Sequence, residues 1–195
     1  MQRRKFILQG ASLVIAGISL HACTTSATGE LTSSHAESDK HRHGAIDADV
    51  DATLKNVESQ VPGSRELISK ARGVLVFPSV LAAGLGVGGQ YGQGALRVNN
   101  QTVGYYNLAS LSVGLQIGAQ SKSVVFLMMT QDALDKFRHS EGWAVGGDAS
   151  VAVAKIGANG MLEADEGPVV AFVMTNAGLM ANLTFEGTKI SRLES

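Results

Sequence analysis

Cysteine is nearly absent from this chain. Cys23 is the only cysteine among 195 residues, so the protein cannot form an internal disulfide and must obtain its stability from packing. Prolines number only three, and aromatic residues make up 5% of the chain. Neither sign of charge is in excess: the formal net charge is −1, which excludes the strongly basic balance of a nucleic-acid-binding protein.

Glycine, by contrast, is abundant, with 23 residues. Many of these glycines lie inside alternating apolar segments, where they indicate strands whose backbones approach neighbouring chains closely. The length of the chain is typical of one folded domain.

The N-terminus has the features of an export signal. Three basic residues, Arg3 to Lys5, precede an apolar run that ends at Leu20. This run has about 15 residues, whereas a transmembrane helix needs about 20. Residues 1–22 are therefore predicted to be a signal peptide. Export by the twin-arginine route or by the general secretory route is equally compatible with this start.

The signal ends at a second recognisable pattern. Leu20-His21-Ala22-Cys23 resembles the bacterial lipobox, which implies that Cys23 becomes the acylated N-terminus of a lipoprotein. A plain signal peptide with an incidental cysteine is the alternative. Thr24, rather than aspartate, follows the cysteine, so the predicted location is the outer membrane, facing the periplasm.

Apolar spacing predicts the secondary structure that follows. Residues 23–44, which begin with the lipidated cysteine, are predicted to be a polar, flexible tether. Residues 45–195 are predicted to be the single domain. Helical spacing predicts helices over 45–59 and 65–71, and Thr130 is expected to cap a third that ends near His139. Strands are predicted over residues 73–78, 85–98, 102–107, 110–120, 124–129, 149–154, 169–175, 179–185 and 188–193. The predicted fold class is α+β and β-dominated: an antiparallel, glycine-rich sheet or barrel-like core with N-terminal helices and one mid-chain helix.

Several ordered motifs resemble the SYLF domain family across about residues 45–193. They are Ala71-Arg-Gly-Val-Leu-Val-Phe-Pro78, Gly88-Gly-Gln-Tyr-Gly-Gln-Gly94, Gly114-Leu-Gln-Ile-Gly-Ala-Gln-Ser121, Ala133-Leu-Asp-Lys-Phe137, Gly147-Asp-Ala-Ser-Val151 and Leu183-Thr-Phe-Glu-Gly-Thr188. The resemblance implies a non-enzymatic, lipid-binding module, which in fungal members also binds actin. Actin is an unlikely partner for an exported bacterial protein.

The resemblance leaves two functions open. The first is a membrane-anchored lipoprotein whose folded domain binds membrane lipids, including anionic phospholipids. The second is an envelope protein-interaction or structural lipoprotein whose membrane affinity comes only from its acyl anchor. Five basic residues are the candidate lipid-headgroup contacts, with a merely solvated face as the alternative: Arg65, Lys70, Arg72, Arg97 and Lys122. The aspartates that open the first predicted helix would repel anionic headgroups.

Other chemistry is less well supported, and no cofactor, metal site or catalytic site is predicted. Gly84 to Gly89 fits Gly-x-Gly-x-x-Gly, but no helix is predicted to follow it, as a dinucleotide site requires. The acidic run from Asp47 to Asp51 lacks the glycine of a calcium loop. The histidines of the tether, His35, His41 and His43, form a weak metal-binding pattern. A catalytic site would need a pocket with converging polar groups around His139 or Asp148.

Overall fold

The computed structural model of the protein describes residues 28–148, 150–180, 185 and 187–193. Side chains are described for all of these residues except 28–36, 85–87 and 112–118. The described residues contain three helices: α1 (Thr28–Gln60), α2 (Ser64–Lys70) and α3 (Gln131–His139). The strands are β1 (Gly73–Val98), β2 (Gln101–Met128), β3 (Trp143–Ala144), β4 (Val151–Val153), β5 (Lys155–Ile156), β6 (Leu162–Glu163), β7 (Val169–Thr175), β8 (Gly178–Met180) and β9 (Thr188–Arg192). The α+β, β-dominated prediction is confirmed.

A long antiparallel ribbon of β1 and β2 forms the centre of the fold. The two strands join at Asn99 and Asn100, whose φ angles of 51° and 62° match a tight hairpin turn that favours asparagine. Pairing continues from Val98↔Gln101 to Gly73↔Met128, with register shifts at three places. One shift includes Pro78, which has no N–H to donate to the strand pairing. The carbonyl oxygen of Pro78 instead accepts a hydrogen bond from the Ser123 hydroxyl at 2.7 Å.

The ribbon bends back on itself, so that the two ends of β1 come into contact. A Cβ on Gly92 would lie 2.8 Å from the carbonyl oxygen of Ser79, and a Cβ on Gly94 would overlap sterically with the carbonyl oxygen of Val76. Only glycine permits such close approach of two backbones. The glycine-rich composition is thus explained at these two positions by contact within the ribbon.

The remaining strands extend the ribbon at its two ends. β7 pairs with the last residues of β2, from Ser123 to Met128, and β9 pairs with residues 106–110 of β2. β3 lies outside β9, while β4 and β8 pair with β7. β5 and β6 form a separate hairpin. The result is a curled half-barrel sheet.

Hydrophobic side chains cover both faces of the central strands. One cluster lies inside the curl and includes Phe77, Phe126 and Trp143, against which α3 packs Leu134 and Phe137. A second cluster lies on the other face, where α1 packs Val50 and Val57 onto the sheet. Residues 124–128 are buried throughout, as their uninterrupted apolar run predicts for a strand covered on both sides.

The structure differs from the sequence prediction in three respects. α1 begins at Thr28, so residues 28–44, predicted to be a flexible tether, are helical. The five strands predicted between residues 73 and 129 are two, because the ladder continues through the glycine-rich segments. β4 pairs with β7 in parallel, which makes the sheet mixed rather than purely antiparallel.

The predicted side-chain cap is present on α3, whereas α2 begins without a side-chain cap. The Thr130 hydroxyl accepts from the Ala133 N–H at 3.2 Å, which confirms the predicted cap of α3. α2 is instead preceded by Gly63 in the left-handed region, and the Ser64 hydroxyl donates to the Val61 carbonyl at 2.7 Å. None of the three described helices combines the length and apolar character that a membrane span requires.

Candidate functional site

The most conspicuous surface feature is an apolar groove at the bend of the ribbon. Its volume is about 540 Å³. Three large apolar side chains line it while remaining exposed: Leu111 is 79% exposed, Leu81 is 61% exposed and Tyr91 is 51% exposed. Only two other large apolar side chains of the described residues are exposed, Ile156 and Met161, and neither lines the groove. Clustering of exposed apolar side chains in one concave surface is typical of an interaction site.

Strand register explains why these residues meet. Tyr91 lies opposite Ala109 on β2, and Ala109 lies opposite Lys189 on β9. Residues that face one another across antiparallel strands share one face of the sheet, so the three form a row. Leu111 lies opposite Gly89, which has no side chain to cover it. The glycine-rich part of β1 therefore leaves the apolar side chains of β2 exposed.

A polar ladder continues from the groove along the same face. The Tyr91 hydroxyl donates to Asn107 Oδ1 at 2.9 Å, and Gln93 Nε2 donates to the same oxygen at 3.2 Å. These bonds hold the Tyr91 ring in place although half of its surface is exposed. Among the residues that the structure describes, Lys189 is the only charged one that lines the groove.

A second, polar groove gathers three of the five basic residues predicted to contact headgroups. Arg65, Arg72 and Arg97 line one depression of about 460 Å³ between α2, the end of α1 and the hairpin turn. Arg65 forms an ion pair with Glu58 at 2.9 Å. Arg72 is exposed and forms no ion pair with any residue that the structure describes.

The other two predicted residues lie elsewhere. Lys70 pairs with Glu66 one turn away on α2, at 2.7 Å, and this contact lowers the pKa of the Glu66 carboxyl. Lys122 lies opposite Val80 on the ribbon, where burial lowers the pKa of its ammonium group. Neither residue lines the polar groove.

Arg97 belongs to a polar network that attaches α1 to the sheet. Its Nη2 lies 2.8 Å from Asp51 Oδ1 and 3.5 Å from Asp47 Oδ1, and its side chain is only 14% exposed. Asp47 also accepts from the Thr102 hydroxyl at 2.6 Å and from the Tyr105 hydroxyl at 2.8 Å. Two of the aspartates predicted to open a helix, Asp47 and Asp51, thus bind the sheet. A calcium loop is excluded because they lie within α1.

This network predicts different effects for two aspartates on one helix. Asp47→Ala should lower the free energy of unfolding by about 1–3 kcal/mol, because it leaves Thr102 and Tyr105 without their acceptor. Asp49→Ala should change it by less than about 0.5 kcal/mol, because Asp49 is exposed. Urea unfolding of both variants checks the difference, and equal destabilisation would contradict it.

The titration of Tyr105 provides a second measure of this network. Burial, and then the hydrogen bond to Asp47, raise the pKa of Tyr105 from 10 to about 12. Because the folded-state value is raised, the contribution of the neutral phenol to stability is complete below about pH 10 and is lost as the pH rises through about 12. In Asp47→Ala the tyrosinate absorbance should appear at lower pH. An unchanged titration would show that Asp47 does not act on this phenol.

Two of the histidines in the weak metal-binding pattern, His41 and His43, contact other side chains. His43 stacks on the Tyr105 ring at 3.9 Å, with the rings nearly parallel. His41 lies 3.6 Å from Glu37 on the same exposed helix face. Among the residues that the structure describes, no three histidine, cysteine or acidic side chains form a metal-binding group.

The structure does place His139 in a cavity, at the end of α3. The cavity has a volume of about 880 Å³ and is also lined by Tyr106, Arg138 and Arg192. The His139 Nδ1 lies 2.7 Å from the carbonyl oxygen of Asp135, and Asp148 Oδ2 accepts from the Ala144 N–H at 2.6 Å. Asp148 does not line this cavity, so the two residues around which a catalytic site could have formed are not brought together there.

Sequence reasoning missed the apolar groove, although part of its signal was present. Leu111 begins the clearest alternation in the chain, and residues 84–89, four of which are glycines, pair near it. The Gly-x-Gly-x-x-Gly motif formed by these residues is part of a continuous strand with no helix after it. Cys23 lies outside the described residues.

Comparison with known proteins identifies the C-terminal part of the chain. The family model described as "Ysc84: Las17-binding protein actin regulator" matches residues 109–195. This segment supplies Leu111 and Lys189 of the apolar groove, as well as α3 and β9. No curated protein matches the chain. Residues 109–195 thus match the Ysc84 (SYLF) domain model, which agrees with the predicted resemblance to the SYLF domain family.

Proposed function

We propose that this protein is a lipoprotein, anchored in the outer membrane by acylated Cys23, whose folded domain binds membrane lipid through the apolar groove. The observation that carries the proposal is the clustering of Leu81, Tyr91 and Leu111, each more than half exposed, around one concave surface. The role is non-catalytic. The proposed site faces the periplasm.

An acyl chain suits this groove better than an extended peptide. A peptide that adds to a sheet needs free backbone N–H and carbonyl groups. At the groove, β2 pairs on both sides up to Ser110, with β1 and with β9, so its backbone groups are already used; among the described strands, only the outer edge of β1 offers such groups. An acyl chain needs only apolar contact, which the lining residues offer. Burial of a leucine side chain contributes about 1.5–3 kcal/mol.

Basic residues provide the second part of the proposal. Lys189 borders the apolar groove, and an ammonium group at the border of an apolar surface suits an anionic headgroup. Arg72 lies in the separate polar groove without an ion pair to a described residue, whereas Arg65 in the same groove is paired with Glu58. Arg97 contributes less, because carboxylates of α1 already bind it.

The family description names a binding partner of another kind, the protein Las17, and a role in regulating actin. A protein-interaction or structural role in the cell envelope is the competing function for this chain. In-cell cross-linking from the groove separates the two: lipid binding without reproducible protein adducts supports the proposal, and protein adducts without lipid binding contradict it.

The anchor is tested by removing the only cysteine. Wild-type protein should remain in the detergent phase of a Triton X-114 partition and carry the mass of the acyl groups, whereas Cys23→Ser should move to the aqueous phase. The reason is that two acyl chains hold a protein at a membrane stably, while one apolar contact site binds reversibly. Equal partition of the two proteins would contradict acylation at Cys23.

A further inference from the structure

The cavity at the end of α3 contains an unused set of hydrogen-bond donors. Tyr106 is only 5% exposed, and it packs against Phe137 with ring centroids 4.9 Å apart. Its hydroxyl has no hydrogen-bond partner among the residues that the structure describes. This oxygen is not one of the described buried polar atoms that lack a partner, so it is accessible from the cavity although the rest of the residue is buried. Since Tyr106 lines the cavity, its hydroxyl is available to a molecule that enters there.

Two guanidinium groups line the same cavity as this hydroxyl. A Cβ built on Gly104 would lie 3.2 Å from the Tyr106 hydroxyl oxygen and 3.3 Å from Arg192 Nη2, so both atoms border the same space beside Gly104. Burial raises the pKa of the Tyr106 phenol and dominates, while the charges of Arg192 and Arg138 act on it in the opposite direction. The phenol is therefore a neutral donor at physiological pH.

No described carboxylate neutralises either arginine. Within the part of the chain that the structure describes, Arg138 and Arg192 form no ion pair, and both are exposed to solvent. Basic residues at the end of a helix often serve only to balance the helix dipole. On α3, however, Lys136 pairs with Asp132 at 2.9 Å and His139 contacts the Asp135 carbonyl. Arg138 has no such contact with a described residue.

We infer that Tyr106, Arg138 and Arg192 form a binding site for a phosphate group. Two guanidinium groups and one O–H donor match the acceptor oxygens and the charge of phosphate. The cavity, at about 880 Å³, is larger than phosphate alone and has room for the remainder of a phosphate ester. Glu141 is the only acidic residue among the described residues that line it.

This site is separate from the proposed lipid groove. Tyr106 lies opposite Arg192 across β2 and β9, three residues from the opposed pair Ala109 and Lys189. Because side chains alternate between the two faces of a sheet, the two pairs lie on opposite faces. Phosphate binding at this site therefore does not depend on lipid binding in the groove, and either can fail without the other.

Phosphate titration of the full-length chain with Cys23→Ser tests the site. Inorganic phosphate, added at constant ionic strength and followed by calorimetry, should bind saturably. Arg138→Gln and Arg192→Gln should each weaken binding about ten- to a hundredfold, because each removes a charge-assisted hydrogen bond. Lys136→Gln, two residues away on the same helix, should bind as the parent protein does. Glu141→Gln should bind more tightly, since it removes the one repelling charge.

Two further arms complete the test. Tyr106→Phe keeps the ring contact with Phe137 and should weaken binding while the fluorescence of buried Trp143 shows an intact core. Vesicles that contain phosphatidic acid, compared with inorganic phosphate, distinguish a lipid headgroup from a soluble phosphate as the source of the group. Saturable binding of either source that depends on both arginines supports the site. Absence of binding to both, or equal loss in Lys136→Gln, overturns it.

Discussion

Gly94→Ala is expected to destabilise the protein by about 3 kcal/mol or more, because the single added methyl group has no space to occupy. A Cβ at this position falls on the Val76 carbonyl oxygen and lies 2.7 Å from Cδ1 of Phe77. The first neighbour is backbone in the middle of a paired strand, and the second is a fully buried core residue. Neither can move without opening the contact on which the curl of the ribbon depends.

Thermal and urea unfolding measure this effect against a matched glycine. A loss of about 3 kcal/mol corresponds to a Tm lower by roughly 6–12 °C for a chain of this size. Gly44→Ala is the control, because Gly44 lies in α1 with open space around its Cα. Alanine should stabilise this helix by about 0.5–1 kcal/mol. A Gly94→Ala variant as stable as the parent would show that the two ends of β1 do not touch.

Replacing Leu81 or Leu111 by aspartate is expected to reduce vesicle binding about ten- to a hundredfold. Each change removes an apolar side chain whose burial contributes about 1.5–3 kcal/mol and adds a charge at the lipid contact. Both side chains are mostly exposed, so stability should change little. The Cys23→Ser background is required, because an acyl anchor would hold every variant at the membrane.

Ile156→Asp is the matched control for these two variants. Ile156 is 45% exposed, but it lies on the β5–β6 hairpin and outside the groove. If lipid binding came from general surface hydrophobicity, all three variants would lose it alike. Co-sedimentation with vesicles of mixed neutral and anionic phospholipid should instead separate Leu81→Asp and Leu111→Asp from Ile156→Asp.

The sequence predicts best those helices, strands and turns for which the local residue pattern and the tertiary packing favour the same structure. Residues 169–175 form β7 as predicted, because every position is apolar or β-branched and both faces are covered. α3 is likewise predicted from its cap to its end. Asn99 and Asn100 form the predicted turn, since asparagine tolerates positive φ.

Prediction fails where distant residues determine the outcome. The first half of α1 has little apolar periodicity, but it is held by the stacking of His43 on Tyr105 and by the bonds of Asp47 to Thr102 and Tyr105. No local pattern reveals partners more than fifty residues away. The glycine-rich segments also suggest strand ends, whereas the paired ladder runs through them.

The functional surfaces depend on distant residues in the same way. The apolar groove joins Leu81, Tyr91 and Leu111 with Lys189 of the last strand, and only the bend of the ribbon brings them together. The three arginines of the polar groove were partly predictable as a group, because Arg65 and Arg72 are near one another in sequence. Its third member, Arg97, joins them through the hairpin, where α1 carboxylates bind its side chain.

Entry of lipid into the apolar groove is tested most directly by a reporter placed there. With Cys23→Ser the chain has no cysteine, so Gln90→Cys introduces a single labelling site among the groove-lining residues. Ala52→Cys provides the control on the exposed side of α1. An environment-sensitive fluorophore at position 90 should shift to shorter wavelength when phospholipid vesicles are added, while the same fluorophore at position 52 should not. No shift at position 90, or equal shifts at both positions, would contradict lipid binding in the groove.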